Sequence, residues 1–150
     1  HNGDGVSEFL LQRLHLCIAK HPAFASADPT PAIIAGCLEA DGEIVKMNSP
    51  DIKDKSGSTA NVLVVRSNGA DEPPVLYCGN VGDSRCVLSR GGCALELSVD
   101  HRPDRADEKK RVEEAGGLII QHRLNGVLAV TRSFGDVEHK GLHKDKELGP

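Results

Sequence analysis

The feature that most constrains this chain is a change of hydrophobic period near residue 58. Before it, apolar residues recur at three- and four-residue spacing. Val6, Phe9, Leu10, Leu14, Cys17 and Ile18 form one stripe, with Gln12, Arg13 and His15 outside it, which predicts an amphipathic helix ending before Pro22. A second helix follows, with Thr30 placed to cap it and Pro31 at its first position. Its expected inward face is Ile33, Ile34, Cys37, Leu38, Ile44 and Val45, and Gly36 weakens it slightly. After residue 58 the pattern becomes extended and rich in β-branched residues. "NVLVVRS", "VLYCGN", "SRCVLSR" and "CALELSV" predict strands, with "GADEPP" and Gly91-Gly92 as turns.

A third helix is expected from Asp104 to Ala115. Its apolar face is thin, and Asp107–Arg111, Lys109–Glu113 and Lys110–Glu114 support it at about 0.2–0.5 kcal/mol each. Gly116-Gly117 ends it. "GLIIQHRL" and "VLAVTRS" predict a hairpin about Asn125-Gly126, a type I′ signal. Helices, then antiparallel strands, then helix and hairpin make an α+β order, and 150 residues suit one domain. The expected boundaries are helices over 6–45, a loop over 46–58, strands over 61–99, a helix over 104–115, a hairpin over 117–133 and a tail over 137–150.

Three Phe, one Tyr and no Trp leave the core to aliphatic side chains and argue against a base-stacking platform. A net charge of −4 argues against a nucleic-acid phosphate binder. No stretch reads as a membrane span or signal peptide, because Glu8, Gln12, Arg13 and His15 interrupt the first apolar segment. The cysteines at 17, 37, 78, 86 and 93 show no CxxC spacing and read as small buried hydrophobes in a reducing compartment, cytoplasmic or nuclear.

Several polar stretches sit where strands end. In "CGNVGDSRCVL", Asp83 is either part of a polar turn or a carboxylate presented to a hard cation such as Mg²⁺ or Mn²⁺. "SGSTANVLVV" lacks the GK[ST] of a phosphate-binding loop, so its small residues point to close chain packing. Asp100 and His101 face opposite ways in extended chain, which suits local ties before Pro103 rather than a shared metal. Asp136, closing "AVTRSFGD", is open between ligand and turn former. His15, His21, His122, His139 and His143 read as surface residues, and neither HExxH nor GxSxG occurs.

Taken in order, "SGSTANVLVV", "LYCGNVGDSRCVLSR", "LSVDHRP", "EKKRVEEAGGLI" and "RLNGVLAVTRSFGD" resemble the central part of the metal-dependent, type 2C family of protein serine/threonine phosphatases. The resemblance implies an α-β-β-α sandwich of two antiparallel sheets flanked by helices, incomplete in this chain. It implies two core Mg²⁺ or Mn²⁺ ions, water attack on phosphoserine or phosphothreonine, and phosphorylated proteins as substrates. The opening His1-Asn2-Gly3 matches the last three positions of the family's Asp-Gly-His-x-Gly motif, which makes His1 the implied general acid. Asp83 matches a position that helps hold a third, weaker metal, and Asp136 is assigned no catalytic role. The Asp-Gly preceding the His, the later Asp-Gly-x-x-Asp and Asp-Asn motifs, and an upstream phosphate-gripping Arg do not occur in the sequence.

Three readings follow. The first is part of a phosphatase catalytic domain, nearly inactive alone. The second is a non-catalytic phosphatase-like binding or regulatory module, and the third an unrelated α+β domain. Unpaired strand edges lead us to expect self-association, or partial disorder over Lys46–Ser56 and after Glu138.

Overall fold

A computed structural model describes residues 1–48, 53–67, 69 and 72–140. In chain order the elements are α1 (Gly5–Ala19), a 3₁₀ turn (Pro22–Ala25), α2 (Thr30–Asn48), β1 (Gly57–Ser58), β2 (Ala60–Arg66), β3 (Val75–Val81), β4 (Val87–Arg90), β5 (Cys93–Glu96), α3 (Ala106–Glu114), β6 (Ile119–Ile120), β7 (Arg123–Leu124), β8 (Phe134–Gly135) and α4 (Val137–Lys140). Every ladder is antiparallel: β1 with β8, β2 with β3, β4 with β5, and β6 with β7. Helices packed on small antiparallel ladders make the fold α+β.

The first helix buries the stripe its spacing predicts: Val6, Leu10, Leu14, Cys17 and Ile18. The inward face of α2 differs from expectation. Ala32, Ile33, Gly36, Cys37, Ala40 and Ile44 are buried, whereas Ile34 is 57% and Leu38 46% exposed. Neighbours on a helix point about 100° apart, so one row at three- and four-residue steps excludes both. Gly36 lies inside that row for a reason the sequence hid. A Cβ there would fall 2.7 Å from the Ile18 backbone, so glycine lets the two helices approach closely. The cap of α2 also differs. Asp28 accepts the Thr30 N–H (2.9 Å), and Thr30 is itself helical. The exposed Asp28 carboxylate thus caps the helix from two residues upstream, and Thr30 begins it.

The second layer is β2–β3. Val62, Val64, Tyr77 and Val81 pack against the helical core, and Gly79 leaves room for Ile33, whose Cγ2 would lie 2.6 Å from an added Cβ. The opposite face carries Leu63 and Val65, 48% and 59% exposed, as strand alternation requires. Phe134 in β8 is fully buried and joins α2 to β1.

Further differences concern the ends of elements. Helix α2 runs to Asn48, three residues into the expected loop; Asn48 bonds the Ile44 carbonyl (3.2 Å) and accepts the Asp54 N–H (3.1 Å). Residues 49–52 of that loop and residues 141–150 of the expected tail, His143 included, lie outside the described residues. The tail begins with the helix α4, pinned by Lys140, which donates to Asp41 (2.5 Å) and to the Ser133 carbonyl (2.8 Å). The predicted hairpin is shorter and turns earlier, at Gln121-His122, both with positive φ. Asn125-Gly126 also adopts positive φ but makes a second bend that pairs Leu124 with Leu128. Past it, 129–133 forms no strand, because Thr131 spends its N–H on the His101 carbonyl (3.0 Å).

In α3, Lys109–Glu113 and Lys110–Glu114 pair as expected, but Asp107–Arg111 does not. Asp107 pairs with Arg105, and Arg111 turns inward to the buried Glu108. Cys17 and Cys37 are buried, Cys78 and Cys86 are half-buried, and Cys93 in the two-stranded β4–β5 ribbon is exposed, contrary to the uniform burial expected; all are free thiols. A ribbon without a covering layer exposes side chains on both faces. No described helix is long and apolar enough to cross a membrane.

Candidate active site

Three separated stretches meet at the start of the chain. The His1 ammonium donates to the Gly57 carbonyl (3.0 Å), and the Gly57 N–H returns a bond to the His1 carbonyl (3.1 Å). His1 thus lies beside β1 as a further strand would, and β1 pairs with β8 on its other edge. Asn2 (φ 58°) and Gly3 (φ 125°) then turn the chain sharply into α1, where the Val6 N–H is bonded by Ser56 Oγ (3.0 Å). "HNGDG" is therefore a turn that delivers the histidine to the sheet edge.

That arrangement sets the His1 ring against Asp136, the residue after β8. His1 Nε2 lies 2.9 Å from both Asp136 carboxylate oxygens. The carboxylate is 3% exposed and the ring 39%. Ser133 Oγ donates to Asp136 Oδ2 (2.5 Å). Burial pushes the Asp136 carboxyl above its ordinary range, opposed by the Ser133 bond and by His139, Lys140 and the α-ammonium. The sequence leaves Asp136 open between ligand and turn former and assigns it no catalytic role. The two residues are 135 positions apart, and no local pattern links them.

Asp83 sits on a second feature, the turn leaving β3. The turn is held from several sides: Gly82 donates its N–H to His101 Nδ1 (3.2 Å) and accepts from the His101 N–H (2.9 Å). Asn80 Nδ2 donates to the carbonyls of Gly82 and Val99, both at 3.0 Å. Thr59 and Ser84 hydroxyls bond at 2.6 Å. Arg85 grips Asp100 through two bonds of 3.1 and 2.8 Å, so Asp100 and His101 do serve as local ties. Burial lowers the His101 pKa, keeping Nδ1 free to accept. Asp83 itself is half-buried and has no hydrogen-bond or ion-pair partner among the described residues.

No described contact joins His1 to Asp83. They are tied to one short stretch, His1 to Gly57 and the Asp83 turn through Thr59, two residues on. The small residues there are required by packing. A Cβ on Gly57 would lie 2.3–2.4 Å from the Asp136 carboxylate, and one on Gly82 2.2 Å from the Thr59 methyl.

A carboxylate without protein partners on a fixed turn fits one ligand position of a hard cation. The described residues by themselves do not supply a two-ion cluster. Cys17, Glu39 and Glu43 bring ligand atoms within 4.8 Å of one another, but that group suits a metal poorly. Lys20 pairs with Glu39, Arg13 with Glu43 (2.8 Å), and burial raises the Cys17 thiol away from the thiolate a metal needs.

Comparisons with known proteins place the sequence and the fold. The family model described as Protein phosphatase 2C matches residues 1–146. The Arabidopsis thaliana protein named Probable protein phosphatase 2C 59 is 40% identical over 91% of this chain and 42% of its own length. Protein phosphatase 2C homolog 2 of Schizosaccharomyces pombe is 40% identical over 100% of this chain and 38% of its own. A solved phosphatase from a pathogenic strain of Toxoplasma gondii superposes with a TM-score of 0.69 at 25% identity, over 94% of this chain and 56% of that one. A Caenorhabditis elegans sex-determining protein shares the fold with a TM-score of 0.73 at 24% identity, over 97% and 36%. The chain spans about two fifths of the length of the curated relatives it matches. With a family match over nearly its whole length and the motifs set on this frame, the chain belongs to the protein phosphatase 2C family.

Proposed function

We propose that a protein carrying this chain hydrolyses phosphoserine and phosphothreonine in protein substrates, with His1 as general acid and Asp83 as a metal ligand. The observation that carries the reading is the family match over residues 1–146, which takes in both residues. In the reaction, water oxygen bonds to phosphorus as the bond to the seryl or threonyl oxygen breaks, and His1 gives that oxygen a proton. An alkoxide is a poor leaving group, so this proton transfer is worth about 10²–10⁴-fold. Mg²⁺ or Mn²⁺, when bound, supplies an activated water and offsets charge on the phosphoryl oxygens. Asp83 contributes a carboxylate already fixed by its turn, which lowers the ordering cost of binding.

The 150 residues alone are expected to turn over slowly, because the family's Asp-Gly-x-x-Asp and Asp-Asn metal-binding motifs do not occur in their sequence. The test is phosphate release from a phosphothreonine peptide, with and without Mn²⁺. One polypeptide is this chain; the other extends it to the length of the curated relatives. Metal-dependent release by the longer polypeptide supports the reading. Its absence, with the fold intact, would favour a non-catalytic binding module.

A further inference from the structure

We propose that Asp136 is a positioning residue for this reaction: it turns the His1 ring so that Nε2 faces the protein and Nδ1 faces the leaving oxygen. The inference rests on the reading of His1 as general acid. The comparisons assign Asp136 nothing; the argument is geometric.

An imidazole has two nitrogens, and a proton donor must present one of them to substrate. In His1, Nε2 is used inwardly, 2.9 Å from both Asp136 oxygens. Nδ1 has no partner among the described residues, and the ring keeps 39% of its surface open. The carboxylate is well placed to fix the ring because it is itself fixed. Its backbone adopts a left-handed φ of 47°, and its N–H is bonded by the Ser56 carbonyl (3.1 Å). Ser133 Oγ bonds Oδ2, and Gly57 closes over the group with no room for a methyl. The preceding Gly135 N–H is held by Asp41 (3.0 Å), anchored in α2.

The charges facing the carboxylate are few. His139 and Lys140 approach from α4, and the His1 α-ammonium from the sheet edge. Lys140 is engaged by Asp41, which leaves the imidazole as the donor aimed at both carboxylate oxygens. A buried carboxylate behind one imidazole nitrogen sets the ring's tautomer and orientation, the role such a group plays in other histidine-based catalysis. No such demand follows from packing alone: a structural role for Asp136 would be met by Ser133 and the Ser56 carbonyl.

The test uses the longer polypeptide with Asp136→Asn and His1→Ala, each assayed on a phosphothreonine peptide and on p-nitrophenyl phosphate. Nitrophenolate leaves without a proton; a threonyl alkoxide does not. Asp136→Asn is expected to lower kcat on the peptide by about 10–100-fold, less than the full loss of a general acid, with KM unchanged and nitrophenyl turnover within about threefold. His1→Ala sets the scale with the same selectivity. If His1→Ala is selective and Asp136→Asn is not, the inference fails while the reading of His1 stands. If His1→Ala itself shows no selectivity, the reading fails. A second measurement needs no variant: ¹⁵N NMR of the 150-residue chain should show the neutral His1 ring protonated on Nε2, with slowed exchange. A proton on Nδ1, or free exchange at Nε2, would overturn the inference.

Discussion

Replacing Glu108 with Gln should destabilise the fold by about 2–3 kcal/mol, because one carboxylate joins α3 to the segment leading into β8. Glu108 is 2% exposed and accepts from three side chains. Arg132 Nη2 reaches it at 2.6 Å, Arg111 Nη2 at 2.9 Å and Thr131 Oγ1 at 2.6 Å. Burial alone would push the carboxyl up, but these bonds together outweigh it and hold the group well below the usual carboxylate range. Glutamine keeps the shape, removes the charge, and turns an N–H₂ toward guanidinium donors. Breaking a buried pair costs about 3–5 kcal/mol. The two arginines keep 29% and 30% of their side-chain surface, so water recovers part of that loss.

Urea denaturation reads the effect. With m near 2 kcal/mol/M, the midpoint should fall by about 1–1.5 M at constant m. The folded pKa of Glu108 lies below its unfolded value of about 4.3, so its contribution is complete above that pH and fades as pH falls toward the folded value. The gap between wild type and variant should therefore be widest near neutrality and shrink below about pH 4. A loss under about 0.5 kcal/mol at neutral pH would refute this reasoning, leaving the pair no better than a surface one.

Three further predictions concern separate parts of the molecule. Gly36→Ala should lower the melting temperature, at a cost of about 1–3 kcal/mol, because the new methyl meets the Ile18 backbone; a melt at or above wild type would contradict that packing. Cys93 should be alkylated within minutes, whereas Cys37, pushed up to about 11 by burial, should react only on unfolding; equal rates would contradict the burial pattern. Added Mn²⁺ should broaden NMR signals around Gly82–Ser84, and Asp83→Asn should remove that broadening; persistence in the variant would place the ion elsewhere.

Much of the frame is legible in the sequence, for identifiable reasons. The first helix repeats one apolar stripe, and β2 carries an apolar, mostly β-branched run from Val62 to Val65, so local pattern and tertiary burial agree. Gly36 misleads because propensity penalises a glycine that helix–helix contact requires. The turn at Gln121-His122 misleads because Asn125-Gly126, four residues on, carries the stronger turn signal and also bends the chain. Within the site, the Asp83 turn could be read from "GNVGDSR". The pairing of His1 with Asp136 could not, since it arises only when residue 1 and β8 flank the same two-residue strand.

The central claim is that water attacks phosphorus while the peptide oxygen leaves. The most direct measurement is a single turnover of phosphothreonine peptide by the longer polypeptide in H₂¹⁸O with Mn²⁺. The account predicts one ¹⁸O in each released phosphate and none in the peptide. Label in the threonine hydroxyl, or no metal-dependent release from a folded protein, would contradict it.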